Sequence, residues 1–306
     1  MSLATFFTPK GKNGFGAGST AEDVTFGLDL SGKTFLVTGC NSGLGLETAR
    51  VLALRGATVI GAARTKDKAA VALAPLGAVA RPLACELSEP ASVRAAVAEL
   101  LRSAPPLDGI IANAGIMALP QRELKYGYEA QFFTNHVGHF LLVTGLLGRL
   151  SPTGRVVMLS SGAHNNTYPE GVRLDDLAAA RGYAPWPAYG QSKLANILFA
   201  RELARRLPAG QTANALHPGV IATNLWRHMA PALQTLFSAV GSLTFFKSIP
   251  QGAATQCYVA ANPGAAEITG EFWSDCNVAR SSATGQDMAL AAALWKKTEE
   301  IVAALP

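Results

Sequence analysis

The amino-acid sequence predicts an α/β fold: a doubly wound parallel sheet of about seven strands, with helices on both faces, in a single domain. Three observations predict it. From residue 34 onward, short apolar runs alternate with longer segments of helical periodicity. The short runs are apolar almost throughout, the pattern of strands buried on both faces. Glycine or proline marks most strand exits, and no internal repeat or long linker interrupts the series.

Six runs read as the inner strands: TFLVT (34–38), TVIGAA (58–63), AVARPLA (78–84), DGIIAN (108–113), RVVMLS (155–160) and TANALH (212–217). EFWSD (271–275) reads as a last strand before a closing helix at 286–304. Residues 43–55, 66–74, 89–103, 123–150 and 189–207 carry helical spacing, and 224–262 is mainly helical. Residues 1–33 form an N-terminal arm, and 34–306 form the domain. In the arm, Ser19-Thr20-Ala21-Glu22 fits a capping box that starts a short helix.

With 306 residues, 49% of them apolar and 15% charged, the chain can bury a substantial core. The net charge of +5 is scattered, with no basic run interleaved with aromatics, so no nucleic-acid partner is expected. The 4 cysteines are far apart and form no CxxC, which argues against a disulfide framework or zinc knuckle and for a reducing compartment. No window reaches about 18 uninterrupted apolar residues. MSLATFFTPKGK lacks the basic region and long apolar run of a signal peptide. The expectation is a cytoplasmic protein without a transmembrane segment.

Two glycine-rich stretches lie close together, GKNGFGAGST (11–20) and TGCNSGLG (38–45). Only the second follows a buried strand and opens a helix, the context of a dinucleotide-binding loop in a Rossmann-like sheet. Gly39 allows the tight turn, Gly43 admits the backbone to a diphosphate, and Gly45 brings helix and sheet together. The free N–H groups of the helix start face the anion, which draws Asn41, Ser42 and Leu44 into the loop. The first stretch has no preceding strand, and its Lys12 lies at the wrong end for a P-loop, so it reads as part of the arm. The second strand ends in Ala63 and Arg64 with no carboxylate to hold a ribose 2′-hydroxyl. A guanidinium there suits a 2′-phosphate, which favours NADP(H) over NAD(H); alternatively, Arg64 only caps a surface strand.

YGQSK places Tyr189 and Lys193 four residues apart on one helix face. A phenol of ordinary pKa about 10 becomes a usable general acid/base beside an ammonium that lowers it. Ser160 and Ser161 end a buried strand, where a hydroxyl either polarises a carbonyl or caps a turn.

In this order and spacing, TGCNSGLG, ANAG (112–115), Ser161, Tyr189-x-x-x-Lys193 and His217-Pro218-Gly219 with Thr223 resemble the short-chain dehydrogenase/reductase family. FTNHVGHFLL, LSSGAH, YGQSKLANILFARELARRL and ALHPGVIATNL resemble its retinol dehydrogenase-like and protochlorophyllide reductase-like branch. The resemblance implies hydride transfer between a nicotinamide and a carbonyl or alcohol carbon. It implies Tyr189 as acid/base and Lys193 as the group that lowers its pKa and binds the nicotinamide ribose. It implies Ser161 on the carbonyl and Asn135 on a proton-relay water. It further implies Asn113, Ala114 and Gly115 beside the adenosine, and Pro218, Gly219, Val220 and Thr223 against the nicotinamide. Two features depart from the family. Glu86 stands where an aspartate usually meets adenine, leaving the neighbouring backbone at Leu87 as a substitute. In addition, 28 positions separate Ser161 from Tyr189, about twice the usual spacing, so an insertion lies beside the cleft.

His136 and His139 share a helix face but lack a third ligand, so no metal is expected. His164, Trp186 and Leu225 are candidates to line the substrate pocket. Apolar residues recur at helical spacing over 224–250, from Leu225 to Phe246, which reads as a substrate lid, as plain core, or as an apolar surface for a membrane or a second subunit. The leading expectation is therefore an NADP(H)-dependent oxidoreductase for a bulky hydrophobic ketone, aldehyde or alcohol, and a homo-oligomer is compatible with the sequence. The alternative is a non-catalytic NADP-binding sensor or scaffold.

Overall fold

A computed structural model describes residues 10–221 and 247–306. Its strands in chain order are β1 (Thr34–Thr38), β2 (Thr58–Ala63), β3 (Ala80–Ala84), β4 (Leu107–Ala112), β5 (Leu124–Lys125), β6 (Tyr128–Glu129), β7 (Leu150–Leu159), β8 (Thr212–His217), β9 (Phe272–Ser274) and β10 (Asn277–Ala279). Eight of them form one sheet in the order β10-β9-β8-β7-β4-β1-β2-β3, with all neighbours parallel except β9 and β10. The helices are α1 (Ala21–Val24), α2 (Gly43–Leu54), α3 (Lys66–Leu73), α4 (Pro90–Ser103), α5 (Ala130–Phe132), α6 (Gly138–Leu146), α7 (Pro185–Arg206), α8 (Ile249–Ala261) and α9 (Met288–Ala304).

The apolar strands bury two cores, one on each face of the sheet. Along β1, Phe35 and Val37 join one cluster, which includes Val51 and Leu52 of α2 and Cys257 of α8. Leu36, between them, joins the other, with Leu100 of α4, Leu142 of α6 and Phe199 of α7. The alternation follows from the two-residue period of a strand and explains why both sets of positions are apolar.

Chain direction reverses at the centre of the sheet. From β1 the chain moves outward to β2 and β3, then returns to β4 and moves outward on the other side. The exits of β1 and β4 therefore diverge over a crevice, the place where such sheets hold ligands. The outer strand β3 carries exposed Arg81 and half-buried Pro82.

Elements differ from the sequence-based expectation where turns are made by unusual residues. The segment 123–150 is not one helix. Tyr126 and Gly127 take positive φ (51° and 85°), which closes the β5–β6 hairpin. The helix that follows passes through a π turn at Phe133–Val137 before α6. Asp275 and Cys276 also take positive φ (53° and 62°), turning the chain back into β10 beyond the last expected strand. The capping box is shifted by one residue: Thr20 caps α1 and exchanges hydrogen bonds with Asp23. The arm begins at the far end of the sheet, where Asn13 donates to Cys276 O and the Phe15 ring meets Tyr258 at 5.6 Å, and runs on to the central strands, where Lys33 pairs with Asp108.

Most of the segment expected as a lid (224–250), with Thr223 and Leu225, lies outside the described residues. On either side of it, Ile221 and Lys247 form a β-bridge, and Lys247 pairs with Asp275. Among the described residues no helix is long and apolar enough to cross a membrane.

Gly45 shows how closely α2 approaches β1. A Cβ there would collide with the Gly39 carbonyl oxygen and Asn113 Nδ2. Gly45→Ala is expected to destabilise the protein by about 1–3 kcal/mol in urea unfolding, the usual range for overpacking.

Candidate active site

The crevice at the switch point holds a cleft of about 310 Å³, lined by Gly39, Asn41, Ser42, Gly43 and Leu44 from the first loop. Arg64 stands at the end of β2, Glu86 and Leu87 follow β3, and Asn113, Ala114 and Gly115 follow β4. Gly39 and Gly43 take φ of 70° and 56°, so the loop turns at two positions that a side chain would strain. Ser42 precedes α2 without a side-chain cap, leaving the helix start open to an anion. The donor set and the narrow glycine cradle thus fit the diphosphate of a dinucleotide. Gly45 packs behind the loop, against Gly39, and does not line the cleft.

Two predicted contacts are used internally. Asn113 donates from its side chain to Thr38 O (2.8 Å), which bolts β4 to β1. One Glu86 carboxylate oxygen accepts from the backbone and hydroxyl of Ser88 (3.3 and 3.0 Å). Both residues still border the cleft.

A second cleft of about 360 Å³ continues from the first, sharing Leu44, Asn113, Gly115, Ile116 and Leu159. It brings together Ser161, Tyr189, Lys193, Trp186, Pro218, Gly219 and Val220. Tyr189 is 6% exposed, it lines the same cleft as Ser161, and the Trp186 ring stands edge-on at 6.2 Å. Lys193 lies 5.6 Å from the Tyr189 ring centroid and donates to Leu159 O (3.0 Å). Gly190 is required between them, because a Cβ there would strike the Ala163 and Asn166 carbonyls of the turn after Ser161. Asn135 stands behind the clefts. Its Oδ1 accepts from Ile116 N (2.9 Å), and its Nδ2 donates to Ile116 O and Ser192 Oγ (each 2.9 Å).

His164 is not brought to the cleft. Its Nδ1 donates to Ser161 O (2.6 Å), its Nε2 accepts from Ser282 N (3.1 Å), and its ring packs on Phe272. His217 does reach the cleft, with Nδ1 accepting from Gly162 N (3.0 Å). Sequence reasoning placed it in a motif without a role. His136 meets Thr298 Oγ1 (3.0 Å), and His139 meets Thr38 Oγ1 (2.9 Å), so both rings are tied into the interior.

Burial sets the charges. The Tyr189 phenol is pushed up to about 12 by desolvation, against a smaller lowering influence of the Ser161 side chain. Desolvation pushes Lys193 down to about 8. In the protein alone, then, Lys193 does not draw the phenol below its ordinary value, as the sequence suggested. Removal of water is the dominant cause for both groups.

The lysine shift carries a stability consequence. Below pH 8 both folded and unfolded states hold the proton, and the folded state bears the full cost of the buried charge. Between about 8 and 10.5 only the unfolded chain binds it, so stability rises with pH. The difference corresponds to about 3 kcal/mol. Lys193→Met is expected to be more stable than wild type in urea at pH 7, with the gap narrowing as pH approaches 10.5.

Comparison with known proteins bears on this geometry. The sequence model of the short chain dehydrogenase family matches residues 33–173. Short-chain dehydrogenase TIC 32 A, chloroplastic, of Brassica napus is 42% identical, covering 97% of both chains. Human retinol dehydrogenase 14 is 39% identical over 90% of this chain and 88% of its own. Among solved structures, an uncharacterised protein from Mycobacterium paratuberculosis is 34% identical with a TM-score of 0.74, covering 94% of this chain and 98% of that one. A short chain dehydrogenase from Burkholderia cenocepacia, in complex with NADP, is 25% identical with a TM-score of 0.64, covering 79% and 96%. With similarity of this degree running almost end to end, the chain belongs to the short-chain dehydrogenase/reductase family.

Proposed function

We propose that the protein is an NADP(H)-dependent oxidoreductase that interconverts a bulky hydrophobic ketone or aldehyde and its alcohol, with Tyr189 as general acid/base. The observation that carries the reading is the meeting of Ser161, Tyr189 and Lys193 in one cleft that continues from the glycine loop. Among the described residues, the cleft is walled by Ile116, Met117, Trp186, Val220 and Ile221, and its one charged lining side chain is Lys193. Such walls favour a neutral, apolar substrate. The human relative's name, retinol dehydrogenase, points to the same kind of alcohol.

A nicotinamide dinucleotide held by the glycine loop Gly39–Leu44 and Arg64 would supply or accept the hydride. The Ser161 hydroxyl donates to the substrate oxygen and orients it. The Tyr189 phenol gives its proton as that oxygen gains charge, and takes one back in the oxidative direction. The Lys193 ammonium stabilises the phenolate that results. Arg64, directly after β2 on the rim of the first cleft, supports a ribose 2′-phosphate.

NADPH consumption with a panel of hydrophobic carbonyl compounds tests the reading. Tyr189→Phe is expected to lower kcat by about 10²–10⁴-fold with the fold intact. Undiminished turnover in that variant would remove Tyr189 from the mechanism, and tight NADPH binding with no turnover in wild type would favour the sensor alternative. Because Tyr189 is held protonated well above neutrality, carbonyl reduction should persist across neutral pH, whereas alcohol oxidation should climb as pH rises. Arg64→Asp should weaken NADPH binding by at least about tenfold and NADH binding far less, the loss of one charge-assisted pair. Equal loss of both would contradict the assignment of Arg64.

A further inference from the structure

His139 lines neither cleft, yet it stands between the two halves of the site. It is fully buried on α6, one turn beyond Asn135. Its Nδ1 lies 2.9 Å from the backbone carbonyl oxygen of Asn135, and its Nε2 lies 2.9 Å from Thr38 Oγ1. A carbonyl oxygen only accepts, so Nδ1 carries a proton. Burial depresses the imidazole to about 4, so the ring is neutral at working pH and Nε2 must accept from Thr38.

Thr38 gives the same answer from the other side. Its hydroxyl has two acceptor sites and one hydrogen. Both acceptor sites are taken by the backbone N–H groups of Asn113 and Ala114, each at 2.9 Å. The hydrogen has two acceptors in reach, His139 Nε2 at 2.9 Å and Ile111 O at 3.5 Å. The shorter contact is the imidazole. Two independent counts thus fix one tautomer and one direction: Asn113 and Ala114 N–H to Thr38, Thr38 O–H to His139, and His139 N–H to the Asn135 carbonyl.

We propose that His139 is a positioning residue for the reaction: as the Nδ1–H tautomer, it pins the Asn135 carbonyl to the end of β1. The pin matters because Asn135 sits in the π turn Phe133–Val137, a rare single-turn geometry that interrupts the regular helical hydrogen bonding. The Asn135 side chain is bonded to Ile116 and Ser192, and a Cβ on Gly115 would find Asn135 Oδ1 at 3.1 Å and Lys193 Nζ at 3.4 Å. A shift of the turn therefore reaches the surroundings of Lys193. The segment that borders the first cleft and the turn that backs the second are held by one neutral side chain. The kinetic consequence rests on the proposed function, whereas the tautomer does not.

Two variants separate positioning from packing. Asparagine at 139 can place an amide N–H where Nδ1 stands, and phenylalanine fills the volume without a donor. With NADPH and a hydrophobic aldehyde, His139→Phe is expected to lower kcat by about tenfold or more while the Kd for NADPH, read by fluorescence titration, stays within about threefold. His139→Asn is expected to keep kcat within about threefold of wild type. Folded His139→Phe with at least about half the wild-type kcat, or both variants losing kcat equally at matched melting temperatures, would overturn the proposal. Nitrogen-15 NMR of the wild-type imidazole at pH 7 should report a protonated Nδ1 and a bare Nε2. The opposite tautomer or a doubly protonated ring would also overturn it, even if His139→Phe fails to fold. Absence of turnover in wild type would count against the proposed function, and the NMR result would still decide the assignment of His139.

Discussion

A parallel sheet covered on both faces must satisfy every backbone polar group at the carboxyl ends of its strands without help from bulk water. That constraint shapes the site. The Leu159 carbonyl, at the end of β7, accepts from Lys193 Nζ and Asn196 Nδ2, both at 3.0 Å. Thr38, at the end of β1, takes the N–H groups of Asn113 and Ala114. Just beyond β7, the Ser161 carbonyl receives His164, and the Gly162 N–H reaches His217. Of the side chains that close these valences, Lys193 and His217 also line the second cleft, so the order of the backbone and the arrangement of the reactive groups share an origin.

Three histidines take part in this closure, and each is held in its neutral form. Burial pushes His139 and His217 down to about 4 and lowers His164 as well. A neutral imidazole offers one donor and one acceptor in fixed directions, which suits a bracket between a donor and an acceptor, as His164 and His139 make, better than a charged ring with two donors. Among the described residues, the charge lining the second cleft is left to Lys193, whose buried ammonium is met by the Leu159 carbonyl and the face of Tyr189.

The fold was legible because its punctuation is sharp. The spans of β1, β2 and β8 coincide with the apolar runs, each bounded by polar residues, glycine or proline. The helical spacing that puts Tyr189 and Lys193 on one face is present in α7, whose start lies earlier, with Pro185 in its first turn. What escaped were features that depend on tertiary choices. The β9–β10 turn uses Asp275 and Cys276 in a conformation that glycine usually marks. His164 reads as a cleft residue from its position after Ser161, but its side chain turns inward because Ser282, more than a hundred residues later, offers an N–H. Nothing local in the sequence marks the pairing of His139 with Thr38, because those positions lie on different elements.

The outer strands bear on solution behaviour. An open parallel sheet ends in rows of unpaired N–H and C=O groups that invite another sheet to add on. In β3, Pro82 removes one donor from that row, and Arg81 places a charge on the exposed rim. At the other border, β10 is only three residues long and runs antiparallel, and Asn13 of the arm occupies the carbonyl of Cys276 beside it. Neither rim offers a long, flat template. The sheet that gathers the reactive groups at its centre is thereby protected at both margins from growing into fibrils or strand-exchanged aggregates.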